Sequence, residues 1–247
     1  SSFRIGVLLR FISVNLTQEK DAGEQLRGPA DFDFNSWHLA IQNNGKLETL
    51  VLGDYSLSFG QGMVLWTGGS FGKGREVTGT VGKNERGVRP YGSAQETDFF
   101  RGGAFTYGGD LQITAFYSDR PRSASVINAD TTRFPSTSGL NRTESERSRR
   151  NNINQQSFGS RLSWNSKVGM IGITGYRTQF STFIQPGTRS ADRYDFSGRT
   201  NSVIGADYRG LIGRSLVFGE FARSENGGFG AVGGLETIIS SATELAI

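Results

Sequence analysis

The chain offers few groups for chemistry: a single histidine, no cysteine, and carboxylates and arginines spread along its length. His38 stands beside Trp37 in an alternating stretch. A histidine acting as base or metal ligand needs partners, and no second His or Cys exists to supply them. It reads as a strand residue facing a lumen or an interface. The run Gly68–Gly69–Ser70–Phe71–Gly72–Lys73–Gly74 has some features of a phosphate loop. It has three rather than four residues between Gly68 and Gly72, and no Ser or Thr follows Lys73, so it reads as a glycine-rich loop. Glu48 and Asp54 lie at even spacing in one alternating run, hence on one face. Six residues of strand is roughly 20 Å, too far for two carboxylates to act on one glycosidic bond. They read as lining a watery lumen opposite Arg or Lys from other strands. No catalytic, cofactor or metal set emerges, and a non-enzymatic protein is expected.

Basic residues gather in two places. Lys73, Arg75, Lys83, Arg86, Arg89 and Arg101 form the first group, accompanied by Glu76, Glu85, Glu96 and Asp98. Arg142, Arg147, Arg149 and Arg150 form the second, with Glu144 and Glu146 among them. Mixed signs favour internal ion pairs, or contact with anionic lipopolysaccharide, over nucleic-acid binding. Two sequons, at Asn15 and Asn141, would matter only in a eukaryotic secretory setting.

The elements that must position these groups follow from composition and period. Among 247 residues there are 35 Gly and 18 Phe but only 5 Pro, hydrophobic residues make up 35%, and the net charge is +4. Many glycines and aromatics with modest hydrophobicity suit strands with one face toward lipid and one toward water. No apolar run approaches the ~18 residues of a membrane helix, so any crossing would be made by strands.

The dominant period is two. Phe3, Ile5, Val7, Leu9 and Phe11 predict a strand over 3–11, followed by a polar loop over 17–30. A strand near 31–42 changes parity between Phe34 and Trp37, which predicts a bulge. Asn43–Asn44–Gly45–Lys46 predicts a tight hairpin into a strand over 47–59. Residues 60–97 hold ten glycines and lose the alternation. A segment of that length either projects from a barrel or folds into it as a plug. Strands return at 98–108 and from 111, a long polar loop is expected over 119–156, and further strands at 157–165, 168–180, 199–210, 214–223 and 228–239. About ten strands result, with short turns alternating with long loops. The reading is all-β: an antiparallel transmembrane β-barrel, incomplete in this chain, with a glycine-rich insert. Trp37, Trp66, Trp164, Tyr117, Tyr176, Tyr194 and Tyr208 would form interfacial girdles. The ending Glu244–Leu245–Ala246–Ile247 lacks a terminal aromatic, so a fragment is expected. A soluble β-sandwich or solenoid is the competing fold.

Five stretches then act together: Gly53–Asp54–Tyr55 with Phe59–Gly60–Gln61–Gly62; Arg86–Gly87–Val88–Arg89–Pro90–Tyr91; Phe99–Phe100–Arg101–Gly102–Gly103–Ala104; Ser138 to Glu146; and Phe218–Gly219–Glu220–Phe221–Ala222 with Asn226–Gly227–Gly228. In order and spacing they resemble the barrel portion of Gram-negative outer-membrane proteins that carry helix-hairpin-helix modules ahead of the barrel. The resemblance spans about residues 30–235. It implies an outer-membrane barrel whose insert is a structured plug or lid. Gln61, Arg86, Arg89 and Arg101 would then lie in or beside the insert, the arginines held against Glu48 or Asp54, and Arg89→Ala would loosen it. The family often has His where this chain has Asn141. Its DNA-touching modules are absent here, so no residue inherits that role, and no activity carries over. The function expected is a plugged subunit or scaffold of a transport, secretion or uptake assembly. It would sit in the bacterial outer membrane, with lipid, lipopolysaccharide and other envelope proteins as partners. An open porin-like channel and a surface adhesion or binding protein are the alternatives.

Overall fold

The computed structural model describes residues 2–19, 34–67, 81–93, 95, 97–135, 143–240 and 243–247. The Gly68–Gly74 run, Phe32, Arg75, Glu76, Glu96, most of the predicted 17–30 loop and residues 138–142 lie outside the described residues.

Fifteen strands follow the chain: β1 Ser2–Leu8, β2 Ile12–Glu19, β3 Phe34–Asn44, β4 Leu47–Ser58, β5 Gly87–Pro90, β6 Phe100–Gly108, β7 Leu111–Arg122, β8 Val126–Asn128, β9 Thr131–Thr132, β10 Ile153–Asn165, β11 Gly169–Ile184, β12 Gly198–Ile212, β13 Ser215–Ser224, β14 Phe229–Ser240 and β15 Thr243–Ala246. They form one sheet in the order β1-β2-β3-β4-β6-β7-β10-β11-β12-β13-β14-β15, with β5 on β4 and the β8–β9 pair beside β11. Every ladder is antiparallel except the two-residue contact of β9 with β11. The all-β, antiparallel expectation is met. Closure is not: among the described residues no ladder joins β1 to β15, and both remain edges.

Connections differ at the two ends of the strands. Residues 9–11, 45–46, 109–110, 166–168, 213–214 and 241–242 separate the strands at one end. At the other end lie 20–33, the 59–99 segment around β5, the 123–152 segment, 185–197 and one short turn, 225–228. The predicted hairpin at Asn43–Lys46 is present, with Asn43 and Gly45 at φ 57° and 65°. Such positive φ values suit Asn and Gly, which explains the sequence signal.

Several boundaries move. The first predicted strand ends at Leu8, where the chain turns (Leu9 N–H to Ile12 carbonyl, 2.8 Å) and returns as β2. β3 carries no bulge, since its register with β2 is continuous from Phe34 to Ile41. The parity change has a different cause: Phe34 points to the buried face, whereas Trp37 and Leu39 point to the exposed one. The register shift lies instead between Leu47 and Thr49, where β4 meets β6. Within the expected 119–156 loop, β7 continues to Arg122, β10 already begins at Ile153, and a one-turn helix runs over Glu144–Ser148. Thr143 and Glu146 form a capping box there, a Thr-x-x-Glu signal visible in the sequence.

The sheet is curled, and chain reach demonstrates it. From β4 to β13 there are six strand-to-strand steps, roughly 29 Å along a flat sheet at ~4.8 Å per step. Gln61 lies three residues beyond the end of β4, yet its N–H meets the Glu220 carboxylate of β13 at 2.6 Å. Three residues reach at most about 11 Å. The sheet therefore bends around the segment that follows β4. Apolar packing sits on the concave side, where Phe59, Val64, Leu65 and Val88 from that segment meet Val51, Tyr55, Ala104, Phe116 and Ala222.

On many strands the apolar side chains are on the outer face and polar ones on the buried face. On β7, Thr114, Ser118 and Arg120 are buried, while Leu111, Ile113 and Tyr117 are exposed. On β10, Ser157, Arg161 and Ser163 are buried and Phe158, Leu162 and Trp164 exposed. β3 places Ser36 and His38 inside and Trp37 and Leu39 outside, β12 has Asp207 inside and Ile204 outside, and β13 has Glu220 inside and Phe221 outside. Of the expected girdle aromatics, Trp37, Tyr117 and Trp164 are on the outer face. Tyr176 instead packs against the concave core, Trp66 lies in the inserted segment, and Tyr194 ends a short 3₁₀ turn.

Candidate functional site: the anchor of the inserted segment

The segment after β4 doubles back at once. The Phe59 and Thr67 N–H groups bond the Leu65 and Leu57 carbonyls at 3.1 and 2.8 Å. The turn between them is Phe59–Gly60–Gln61–Gly62, and both glycines have positive φ, 53° and 83°. At Gly60 a Cβ would also fall 2.9 Å from a Glu220 carboxylate oxygen. Glycine is thus required there twice, by backbone angle and by space.

That turn aims its backbone N–H groups at one carboxylate. Gln61 and Met63 donate to Glu220 Oε2 at 2.6 and 3.0 Å, and Val64 donates to Oε1 at 2.9 Å. Successive N–H groups converging in a tight turn make an anion-binding concavity. Here a carboxylate of the segment's own sheet fills it. The Gln61 side chain clamps the second half of the segment, accepting from Lys83 N–H at 2.8 Å and donating to Lys83 carbonyl at 3.1 Å. Arg209 donates to the same carbonyl at 3.2 Å, and Gly82 N–H reaches Glu236 of β14 at 3.2 Å.

Beside Glu220 lies a buried charge cluster. Arg161 of β10 forks onto Asp207 of β12 at 2.5 and 2.9 Å. It also reaches Glu85 of the segment at 2.8 Å and Thr174 at 2.8 Å. Glu85 in turn accepts the Gly60 N–H at 2.9 Å. Side-chain exposure is 2% for Arg161 and 4% for Asp207. The guanidinium meets the Asp207 carboxylate and the Thr174 hydroxyl from two strands and the segment's Glu85, and so ties the segment to the sheet. Gly172 of β11 leaves the necessary room, since a Cβ there would collide with the guanidinium.

A second tie holds the far end of the segment. His38 Nδ1 lies 2.6 Å from the Tyr91 carbonyl. A carbonyl only accepts, so Nδ1 carries the proton. The Tyr91 ring stacks on Phe99, which packs against Phe34. Arg120 covers Phe99 at 3.6 Å and donates to the Thr97 and Phe99 carbonyls at 2.8 Å each.

The residues singled out in the sequence fall as follows. Asp54 is fully buried and takes a two-pronged contact from Arg101, at 2.7 and 2.9 Å. Glu48 sits near the short-turn end, exposed, and accepts from Gln112 at 2.6 Å. It and Asp54 are not brought together. Gln61 is buried within the anchor. Arg86 lies over the Trp66 ring at 5.6 Å. Arg89 is exposed on β5 and bonds the Arg86 carbonyl at 3.2 Å. Neither Arg86 nor Arg89 forms an ion pair among the described residues, so the segment is tied down elsewhere. Arg161, Asp207, Glu220, Glu85 and Lys83 do that work, and sequence reasoning did not single out the first three as anchors. Their one signal is a lone charge at inward parity within apolar, glycine-rich strands, as in Ile204–Gly205–Ala206–Asp207 and Phe218–Gly219–Glu220.

Among the described residues no group of three or more metal-ligating side chains is arranged to hold a metal ion, and no helix is long and apolar enough to cross a membrane. Comparison with protein-family models, with curated proteins and with solved structures finds no match.

The anchor has a testable pH signature. Burial, the largest influence, raises the Glu85 carboxyl above its ordinary value; Arg161 and the Gly60 N–H pull it down, and Asp207 and Glu220 push it up again. A carboxyl whose folded value lies above its unfolded one weakens the fold when ionised. Its stabilising contribution is complete below the unfolded value and is lost as pH rises through the folded one. Glu85→Gln should therefore melt above the wild type at pH 7, with the gap closing as pH falls toward 4.5. Thermal melts of both proteins across that range check this. A gap independent of pH would refute it.

Proposed function

We propose that this chain forms part of an outer-membrane β-barrel of a Gram-negative bacterium, with the segment described at residues 59–67 and 81–91 as a plug. It would serve as a non-enzymatic subunit or scaffold of a transport, secretion or uptake assembly. The observation that carries the reading is the outer face of the sheet, where exposed aromatic and aliphatic side chains alternate with buried charges and hydroxyls that share the concave face with the apolar packing under the segment. A sheet in water hides its apolar face, whereas a transmembrane barrel turns it to lipid. Short turns at one end and, apart from 225–228, long connections at the other agree with the same class. So do exposed Trp164 and Tyr107 beside the short turns.

The open edges support the subunit part of the reading. Hydrocarbon cannot hydrogen-bond a strand edge, so β1 and β15 would each need a partner strand in a membrane. That strand would come from further chain or from another subunit. The anchor supports the plugged part, because Glu220, Arg161 and Glu85 hold the segment across the concave face. His38 and the buried carboxylates are engaged in those ties, which suits a structural rather than a catalytic role. The likeness to helix-hairpin-helix outer-membrane proteins belongs to this proposal.

Flotation on vesicles of outer-membrane lipid, followed by planar-bilayer recording and native mass spectrometry in mild detergent, tests it. The expected result is flotation, low conductance and a reproducible heavier assembly. Extraction without detergent would instead favour a surface-binding protein. A steady open conductance from a lone chain or self-oligomer would favour a porin-like channel.

A further inference from the structure

The convex face of β10–β13 carries a feature the plug does not use. A groove of about 860 Å³ runs over Gly159 and Gly175, with Phe158 and Ile204 among its lining and Arg177 and Arg223 on its border. Phe158 is 46% and Ile204 59% exposed. The volume is that of a small-molecule site, ~300–1,000 Å³. A Cβ at Gly175 would meet nothing nearer than 3.8 Å, so the floor is open there.

The cations are placed at one end. Arg177 pairs in register with Phe158 and Ser202, and Arg223 with Ile204 and Phe229. Both lie toward the end where the long connections emerge, while Leu162 and Ile173 continue the apolar face in the opposite direction. Arg177 holds Ser202 Oγ at 3.2 Å and Glu225 loosely at 3.7 Å. Arg223 is exposed and makes no ion pair among the described residues. Acyl chains fit the apolar part, and phosphate fits two guanidinium groups at its head.

We propose that this groove seats a phosphorylated, multiply acylated lipid of the lipopolysaccharide class, with phosphate on Arg177 and Arg223. The choice of lipid rests on the membrane reading above, in which long connections face outward, so that the arginines lie in the outer leaflet. Glu225 opposes an anion, and phosphate binding draws Arg177 away from it.

The test uses the full chain in detergent and native mass spectrometry. It compares lipid A, dephosphorylated lipid A and phosphatidylglycerol. Wild type should retain one phosphorylated lipid A through detergent washing. Arg177→Ala with Arg223→Ala should lower retention about tenfold, as expected for lost charge-assisted hydrogen bonds. Gly175→Leu, which fills the groove and spares both cations, should lower it as well. Equal retention of dephosphorylated lipid A, or of phosphatidylglycerol, would overturn the proposal, as would unchanged retention in both variants. Flotation of each protein on vesicles separates the two readings. If all proteins float but do not discriminate among lipids, only the groove proposal fails. If wild type does not float, the membrane reading falls and the groove proposal with it.

Discussion

Glu220→Ala should free residues 59–67 and 81–91 from the concave face while leaving the sheet folded. The carboxylate accepts three N–H groups of one turn, those of Gln61, Met63 and Val64. Each buried donor left without an acceptor costs about 1–3 kcal/mol. The sum would exceed the stability of most local structure, so the turn should leave the face and find water rather than remain unpaired. β13 keeps its backbone ladders to β12 and β14, which do not depend on the side chain. The expected readouts are trypsin cleavage near Lys83, Arg86 and Arg89, faster than wild type by about tenfold or more, unchanged far-ultraviolet circular dichroism, and higher conductance in a bilayer. Glu220→Gln should fall between. It retains one oxygen but turns an amide donor toward the turn's own N–H groups. Cleavage and conductance both at wild-type levels for Glu220→Ala would show that the segment is held by apolar packing alone.

The sequence exposed the strands because period two survives wherever one face is buried. Leu111–Ile113, Leu162–Trp164 and Ile171–Ile173 mark the outer face plainly. It exposed the hairpin at Asn43–Lys46 because positive φ restricts the residues that can stand there. It concealed β2, whose Ile12, Val14 and Leu16 alternate as clearly as β1 but lead into polar Gln18 and Glu19. The misplaced bulge in β3 has a physical cause. Phe34 faces inward because it packs on Phe99, a residue 65 positions away in the chain, and local alternation cannot report such a contact. The anchor shows the same limit. The Phe59–Gly62 turn and the Phe218–Ala222 stretch were both conspicuous, yet their meeting depends on the curl of six intervening strand steps. Of the arginines expected against Glu48 or Asp54, Arg101 meets Asp54, which faces it on the adjacent strand. Arg86 and Arg89 do not, because a basic side chain in a glycine-rich segment can equally bond an aromatic ring or a carbonyl.

Arg161→Met should destabilise the whole sheet, by about 3–5 kcal/mol, the cost of stranding a buried ionic partner. The guanidinium is the cation to which Asp207 and Glu85 both bond, and its own side chain is only 2% exposed. Methionine fills comparable volume, so a cavity is not the cause; the loss comes from carboxylates left facing one another without a counterion. Unlike Glu220, Arg161 joins β10 to β12 across β11, within long, continuous ladders. Its removal should therefore shift global unfolding rather than release one segment. Arg161→Lys should lose less, because an ammonium restores the charge but cannot fork onto Asp207 while reaching Glu85. The decisive comparison is Arg161→Met with Asp207→Leu. Taking out the facing charge should recover much of the lost stability, as buried ion pairs exchanged for apolar groups generally do. Urea unfolding of wild type, Arg161→Met, Asp207→Leu and the double variant in the same detergent measures the coupling directly. If Arg161→Met stays within about 0.5 kcal/mol of wild type, a level ordinary for surface positions, the buried cluster is already hydrated and does not hold the sheet around its insert.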